Sequence, residues 1–231
     1  MKRDTDERGI ALLLVVIVTG LFVSATLGVV LVTSIDMGLA SAFRLGLEAE
    51  YMAEAGLQRA LAVLRPLPDW TPVLNGSAVS GISDGPPAGV RFTPAGAIVD
   101  LELVQSLATC GRVPCGEANR TAITLDRPWG ANNPRWRLFG YGPSVAWIAG
   151  ASSAATPFYV VVLVADDPAE ADGNVEVDAS GAMPGAGIIR LRAEAFGPRG
   201  VRRVVDAVVA RAPGGGRIRV LQWRRAPDRP S

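Results

Sequence analysis

Hydrophobic and polar positions divide the chain into three regimes. From Ile10 to Ile35 there are 26 consecutive residues without a charge. About 20 apolar residues at about 1.5 Å rise span a hydrocarbon core, so the run predicts a membrane-crossing helix over 10–35. From Asp36 to Arg65 the pattern becomes one-sided. Leu39, Phe43, Leu47, Tyr51, Leu57, Leu61 and Leu64 recur mostly at three- and four-residue steps, which gathers them on one helical stripe. Arg44, Glu48, Glu50, Gln58, Arg59 and Arg65 fall largely off that stripe. Pro66 ends the pattern, because proline lacks an amide hydrogen and disfavours helical geometry in the residue before it. The expectation is one helix of roughly 80 Å over 10–65.

Residues 66–97 are rich in Pro, Gly and Ser, with Asp69-Trp70, Asn75-Gly76 and Pro86-Pro87 as turn signals. They predict a long loop or irregular lead-in. Over 98–231 the pattern turns to strands, expected at 99–108, 122–125, 135–139, 145–148, 158–165, 174–179, 187–196, 201–210 and 217–223. Ile189, Leu191, Ala193 and Ala195 alternate with Arg190, Arg192 and Glu194, the period-two mark of a sheet with one wet face. Gly197-Pro198-Arg199-Gly200 would be a hairpin turn. A long helix packed on an antiparallel sheet is an α+β arrangement.

Charge orients the apolar run. Lys2, Arg3 and Arg8 precede it, so the positive-inside rule holds that end in the cytoplasm and puts everything after Asp36 outside. A cleaved secretory signal has a shorter apolar core of roughly 7–15 residues and a small-residue cleavage site, and no convincing Ala-x-Ala follows here. A plain anchor suffices physically, but leaves the Glu7-Arg8-Gly9 boundary without a purpose. Gly20, Gly28, Gly38 and Gly46 interrupt the helix, either to let neighbouring backbones approach or because glycine is frequent in membrane helices.

The stretch Glu7 to Val15, Glu-Arg-Gly-Ile-Ala-Leu-Leu-Leu-Val, together with Ala49-Glu50-Tyr51-Met52-Ala53-Glu54-Ala55-Gly56-Leu57, resembles the N-terminal region of PilX-type minor pilins of type IV pilus assembly systems. The likeness covers roughly the first 65 residues. It implies a leader over 1–9 removed by prepilin peptidase after Gly9, with Ile10 as the new N-terminus. It also implies a pilin-like fold and other pilins and the pilus assembly machinery as partners. The expected location is the inner membrane, single pass with the head outside the cytoplasm, and then the pilus or cell surface. Adhesion and twitching motility enter by the same implication.

Major pilins of that group carry Glu at the fifth mature position, where this chain has Leu14. An unpaired carboxylate in hydrocarbon costs several kcal/mol. A subunit offering no partner does better with Leu, which points to an initiating or tip-proximal role. A type II secretion pseudopilin shares the same leader and helix. A singly anchored extracytoplasmic enzyme or binding domain is the alternative from another class.

Composition changes little in this picture. Formal net charge is +1 over 231 residues, so no global field recruits nucleic acid. Histidine is absent, which removes the usual base near neutral pH and any Ser-His-Asp triad. No acidic pair stands out for acid–base work, so an enzyme is not expected. Asn119-Arg120-Thr121 fits a glycosylation sequon of the kind that arises by chance.

Cys110 and Cys115 are the only cysteines. Outside the cytoplasm a small loop disulfide is the natural reading, and without histidine or further thiols the usual zinc sets cannot be completed. The acidic stretch Asp166 to Asn174 has two readings. Asp166, Asp167 and Asp172 offer hard oxygens to calcium, though not at EF-hand spacing; equally, a solvated turn would use Asp to stabilise its own backbone. Arg217, Arg219, Arg224 and Arg225, interleaved with Trp223, either meet an anionic partner or form the solvated face of an edge strand.

Overall fold

A computed structural model describes residues 4–93, 95–126, 133–148, 157–170, 172–178, 184–212 and 217–226. The chain divides into two compact units at Arg44/Leu45. Helix α1 spans Asp4–Leu64. In the first unit its side chains from Ile10 to Ile35 are exposed throughout. It is the one helix among the described residues that is long and apolar enough to cross a membrane, with a window of mean hydropathy 2.7.

The second unit is α+β. Its main sheet is antiparallel, in the order β3 (Arg137–Pro143), β4 (Tyr159–Asp166), β5 (Ile188–Phe196), β6 (Arg202–Arg211) and β7 (Ile218–Ala226). A short hairpin pairs β1 (Val90–Phe92) with β2 (Ile98–Asp100). Strand β4 is buried along its whole length, and its residues alternate between two cores. Val160, Val162 and Val164 pack with Ile189, Leu191, Ala193 and the end of α1. On the other face Tyr159, Val161, Leu163 and Ala165 pack with Leu101 and Val104, from helix α3 (Leu101–Cys110). A strand covered on both faces reads as an unbroken apolar run, and Tyr-Val-Val-Val-Leu-Val-Ala is one.

The buried positions of α1 within the second unit are Gly46, Ala49, Glu50, Ala53, Gly56, Leu57, Ala60, Leu61 and Leu64. This differs from the expected stripe. Leu57, Leu61 and Leu64 are inside, but Leu47 and Tyr51 are exposed, as are Leu39 and Phe43 in the first unit. The cause is the sheet beneath. Val160 and Val162 are β-branched and stand up from β4, so the helix settles only where its own side chains are small. A Cβ at Gly56 would lie 2.8 Å from Val160 Cγ1 and 3.2 Å from Val162 Cγ2.

Five strand expectations hold in position: 135–139, 158–165, 187–196, 201–210 and 217–223 correspond to β3 through β7. The Gly197–Gly200 turn joins β5 to β6, with Gly197 N–H donating to Val201 O at 2.9 Å. Four strand expectations fail. Residues 99–108 are the end of β2 followed by α3. Asp100 caps that helix, its carboxylate accepting from the amides of Glu102 and Leu103 at 2.9 and 3.1 Å, and Gly111 closes it at φ 67°. Residues 122–125 lie in helix α4 (Glu117–Asp126), whose first turn holds Glu117 against the positive helix end.

Residues 145–148 follow Pro143 into a 3₁₀ turn (Ser144–Ala146) that turns Trp147 into the core. Residues 174–178 form a turn whose backbone amides are taken by side chains: Asp172 accepts from Asn174 N–H at 2.8 Å and Asn174 from Glu176 N–H at 3.2 Å. Ala179 lies outside the described residues. The lead-in 66–97 is more ordered than expected. It contains α2 (Thr71–Leu74) and β1, and sends Trp70, Val73 and Leu74 into the core.

Candidate functional site

The chemistry of the first unit lies in its hydroxyls. Five residues between Ile10 and Ile35 carry one, and each bonds back to a carbonyl of the preceding turn. Thr19 donates to Val15 O at 2.7 Å, Ser24 to Gly20 O at 2.8 Å and Thr26 to Phe22 O at 2.7 Å. Thr33 donates to Val29 O and Ser34 to Leu31 O, both at 2.8 Å. Hydrocarbon offers no partner for a stray donor, so a spanning helix must satisfy every polar group internally. The segment meets that condition at each position. Gly9 and Ile10 lie inside α1, and Ile10 and Leu14 are exposed.

In the second unit, Cys110 ends α3 and stands at disulfide distance from Cys115, with Cα atoms 5.8 Å apart. Among the described residues no group of three or more His, Cys, Asp or Glu side chains could hold a metal. Asp166 closes β4 and is buried, Asp167 is half-buried and Asp172 is exposed. The Asp166 carboxyl accepts from Asp167 N–H at 2.9 Å, and the carboxyl of Glu170, itself buried, is its neighbour. Burial first, then the neighbouring Glu170 carboxyl, push Asp166 up to about 9. Two carboxyl groups out of water hold a proton between them more readily than they ionise together. Gly185, at φ 88°, lies against the Glu170 backbone, where a Cβ would come within 2.6 Å of its nitrogen.

Ion pairs of buried carboxylates escaped the sequence reading, among them Glu50 with Arg225 and those of Asp178, Glu194 and Asp206. Asp178, its side chain fully buried, accepts from Arg211 at 2.8 Å and from Gly187 N–H at 2.8 Å. Arg211 also donates to Pro68 O and lies 5.5 Å from the Trp70 ring centroid. Asp178 thereby ties the 66–97 lead-in to β6. Glu194 accepts from Arg202 at 2.6 Å, and its carboxyl is raised by burial against the pull of that guanidinium. Asp206 accepts from Arg192 at 2.7 Å and from Arg224 at 3.3 Å.

The pairs of Glu194 and Asp206 occupy the face of β5 that the alternation of Arg190, Arg192 and Glu194 marked as wet, whereas Arg211 lies on the other face with Trp70. Glu194 is instead buried, and Arg192 lies 5.2 Å from the Trp136 ring centroid. The available signal was opposite charge at facing registers, Arg192 across from Asp206, which needs the strand pairing to be seen. Nothing among these groups sets a nucleophile beside a base. Each of these carboxylates faces an arginine. No protein-family model, curated protein or solved structure matches this chain.

Proposed function

We propose that the chain is a PilX-like minor pilin, a structural component held in the inner membrane by residues 10–35 and drawn into a type IV pilus by helix-to-helix packing. On this reading prepilin peptidase cuts between Gly9 and Ile10, and the subunit sits at or near the initiating end, since Leu14 offers no carboxylate to a neighbour's amine. The observation that carries the reading is the internal satisfaction of all five hydroxyls in a 26-residue charge-free helix. A segment so finished can leave lipid for a bundle of similar helices without exposing a polar group in either place. Beyond it, the small-residue face Ala49, Ala53, Gly56 and Ala60 is used up on the head's own sheet, leaving Leu47 and Tyr51 outward for a neighbour.

The test is the mature N-terminus. Mass spectrometry of the protein from cells with prepilin peptidase should find Ile10 first, and from cells without it the uncut leader. Gly9→Leu should accumulate the uncut form and lose filament incorporation. An uncut chain in peptidase-positive cells ends the proposal.

A further inference from the structure

The two edges of the main sheet are treated differently. The outer edge of β3 is closed by the lead-in: Ser80 N–H donates to Phe139 O at 2.8 Å and Tyr141 N–H to Ile82 O at 3.0 Å, beside a bridge between Ser83 and Tyr141. Strand β7 is paired only with β6, and among the described residues no backbone hydrogen bond reaches its far side. It is nine residues long and largely exposed, with Val220 and Leu221 outward. A long open edge is a template for another strand.

Charge decides which strand. Arg217 and Arg219 are exposed and form no ion pair with a described residue. Beside them, on the sheet face away from α1, a cleft of about 150 Å³ is lined by Arg190, Arg192, Arg224, Gln222, Trp136 and Asp206. Three guanidinium groups there share one carboxylate of the lining, Asp206, which already accepts from Arg192 and Arg224. The open edge and the cleft are thus both electropositive. A second copy of this chain pairing β7 to β7 would set these arginines against their own kind, which is how arginine on an edge prevents self-association. An acidic strand meets no such barrier.

We propose that β7 is a docking edge for an extended, acidic segment of a different protein, which adds as a sixth strand and places carboxylates beside Arg217 and Arg219 and toward the Arg190–Arg224 cleft. Main-chain pairing supplies the affinity and the arginines the selection. The edge is present whether or not the first unit enters a filament, so its test is separate from that of N-terminal processing.

The probe is a fluorescent peptide of about ten residues, the length of a long strand, alternating Glu with Val. It is titrated into the full chain in detergent micelles, followed by anisotropy and by amide hydrogen exchange. The expected result is saturable binding with slowed exchange confined to 218–226. The same peptide N-methylated on alternate residues should not bind, nor should one with Lys in place of Glu. Arg217→Glu with Arg219→Glu should weaken binding by about tenfold or more, because like charges across an interface are strongly disfavoured. Those residues are exposed, and unchanged circular dichroism would show the fold intact. Binding of the N-methylated or the Lys peptide as tightly as the Glu peptide, or binding without protection of 218–226, overturns the proposal.

Discussion

Replacing Gly56 by Ala tests whether the end of α1 is seated on β4 as closely as the geometry requires. On an open helix face this substitution stabilises, by up to about 1 kcal/mol of helix propensity. Here the added methyl would sit 2.8 Å from Val160 Cγ1 and 3.2 Å from Val162 Cγ2. Both valines are fully buried and stiff at χ1, so neither can swing aside without disturbing its neighbours. Overpacking of this kind costs about 1–3 kcal/mol. Subtracting the propensity gain leaves a net loss of about 1 kcal/mol. For a unit of this size that lowers Tm by about 2–4 °C.

A cycle with Val160→Ala separates the two contributions. Val160→Ala alone should cost about 2 kcal/mol in lost burial and cavity. With Val160 shortened, the nearest atom to the new methyl is gone, and Gly56→Ala should become stabilising. The coupling between the two substitutions is then about 2 kcal/mol, well above the error of additive sites. The assay is thermal unfolding of the four proteins in one detergent. Stabilisation by Gly56→Ala in both backgrounds would refute the close seating and, with it, the reason given for a small-residue face.

Two further substitutions probe the buried carboxyls. Asp166 is pushed up to about 9 from an ordinary 3.8, so between those values the folded chain holds a proton that the unfolded chain releases. Stability therefore falls as pH rises through that window, by up to about 1.4 kcal/mol per pH unit. Asp166→Asn should flatten the fall and raise Tm at pH 8, and unchanged pH dependence in denaturant titrations would contradict the shared-proton pair. Asp178→Asn keeps the shape but removes the charge that Arg211 faces. A loss of about 2–3 kcal/mol is expected from a weakened, buried, charge-assisted bond, and a Tm within error of wild type would show that the latch between lead-in and β6 carries no weight.

How far the sequence could be read depended on whether a pattern was local. The charge-free run and the stop of the helical pattern before Pro66 are local, and α1 ends at Leu64. Strands β4, β5 and β6 were legible because long apolar or alternating runs have few other uses. The stretch 99–108 misled because Asp100-Leu101-Glu102-Leu103 alternates like a strand. Its caps, Asp100 before and Gly111 after, were equally visible and were the better signal, since a side-chain acceptor at one end and a left-handed glycine at the other describe a helix of ten residues. The ion pairs of Asp178, Glu194 and Asp206 were not legible, because each joins residues brought together by strand register or by the return of the lead-in.

The helix itself shows why hydrophobicity alone chose the wrong stripe. A large apolar side chain is attracted to any apolar surface, but how near two surfaces come is set by the bulkiest atoms between them. Strand β4 presents valines, so the face of α1 that it accepts is the one with Ala49, Ala53, Gly56 and Ala60, and the leucines join only toward the C-terminal end at Leu57, Leu61 and Leu64. Leu47 and Tyr51 are left outside by exclusion rather than by polarity. An apolar residue excluded from its own fold still loses by meeting water. That remaining loss is recoverable against an apolar surface of another molecule, and on the function proposed above that surface is the helix of a neighbouring subunit, which makes Leu47 and Tyr51 the residues to probe there.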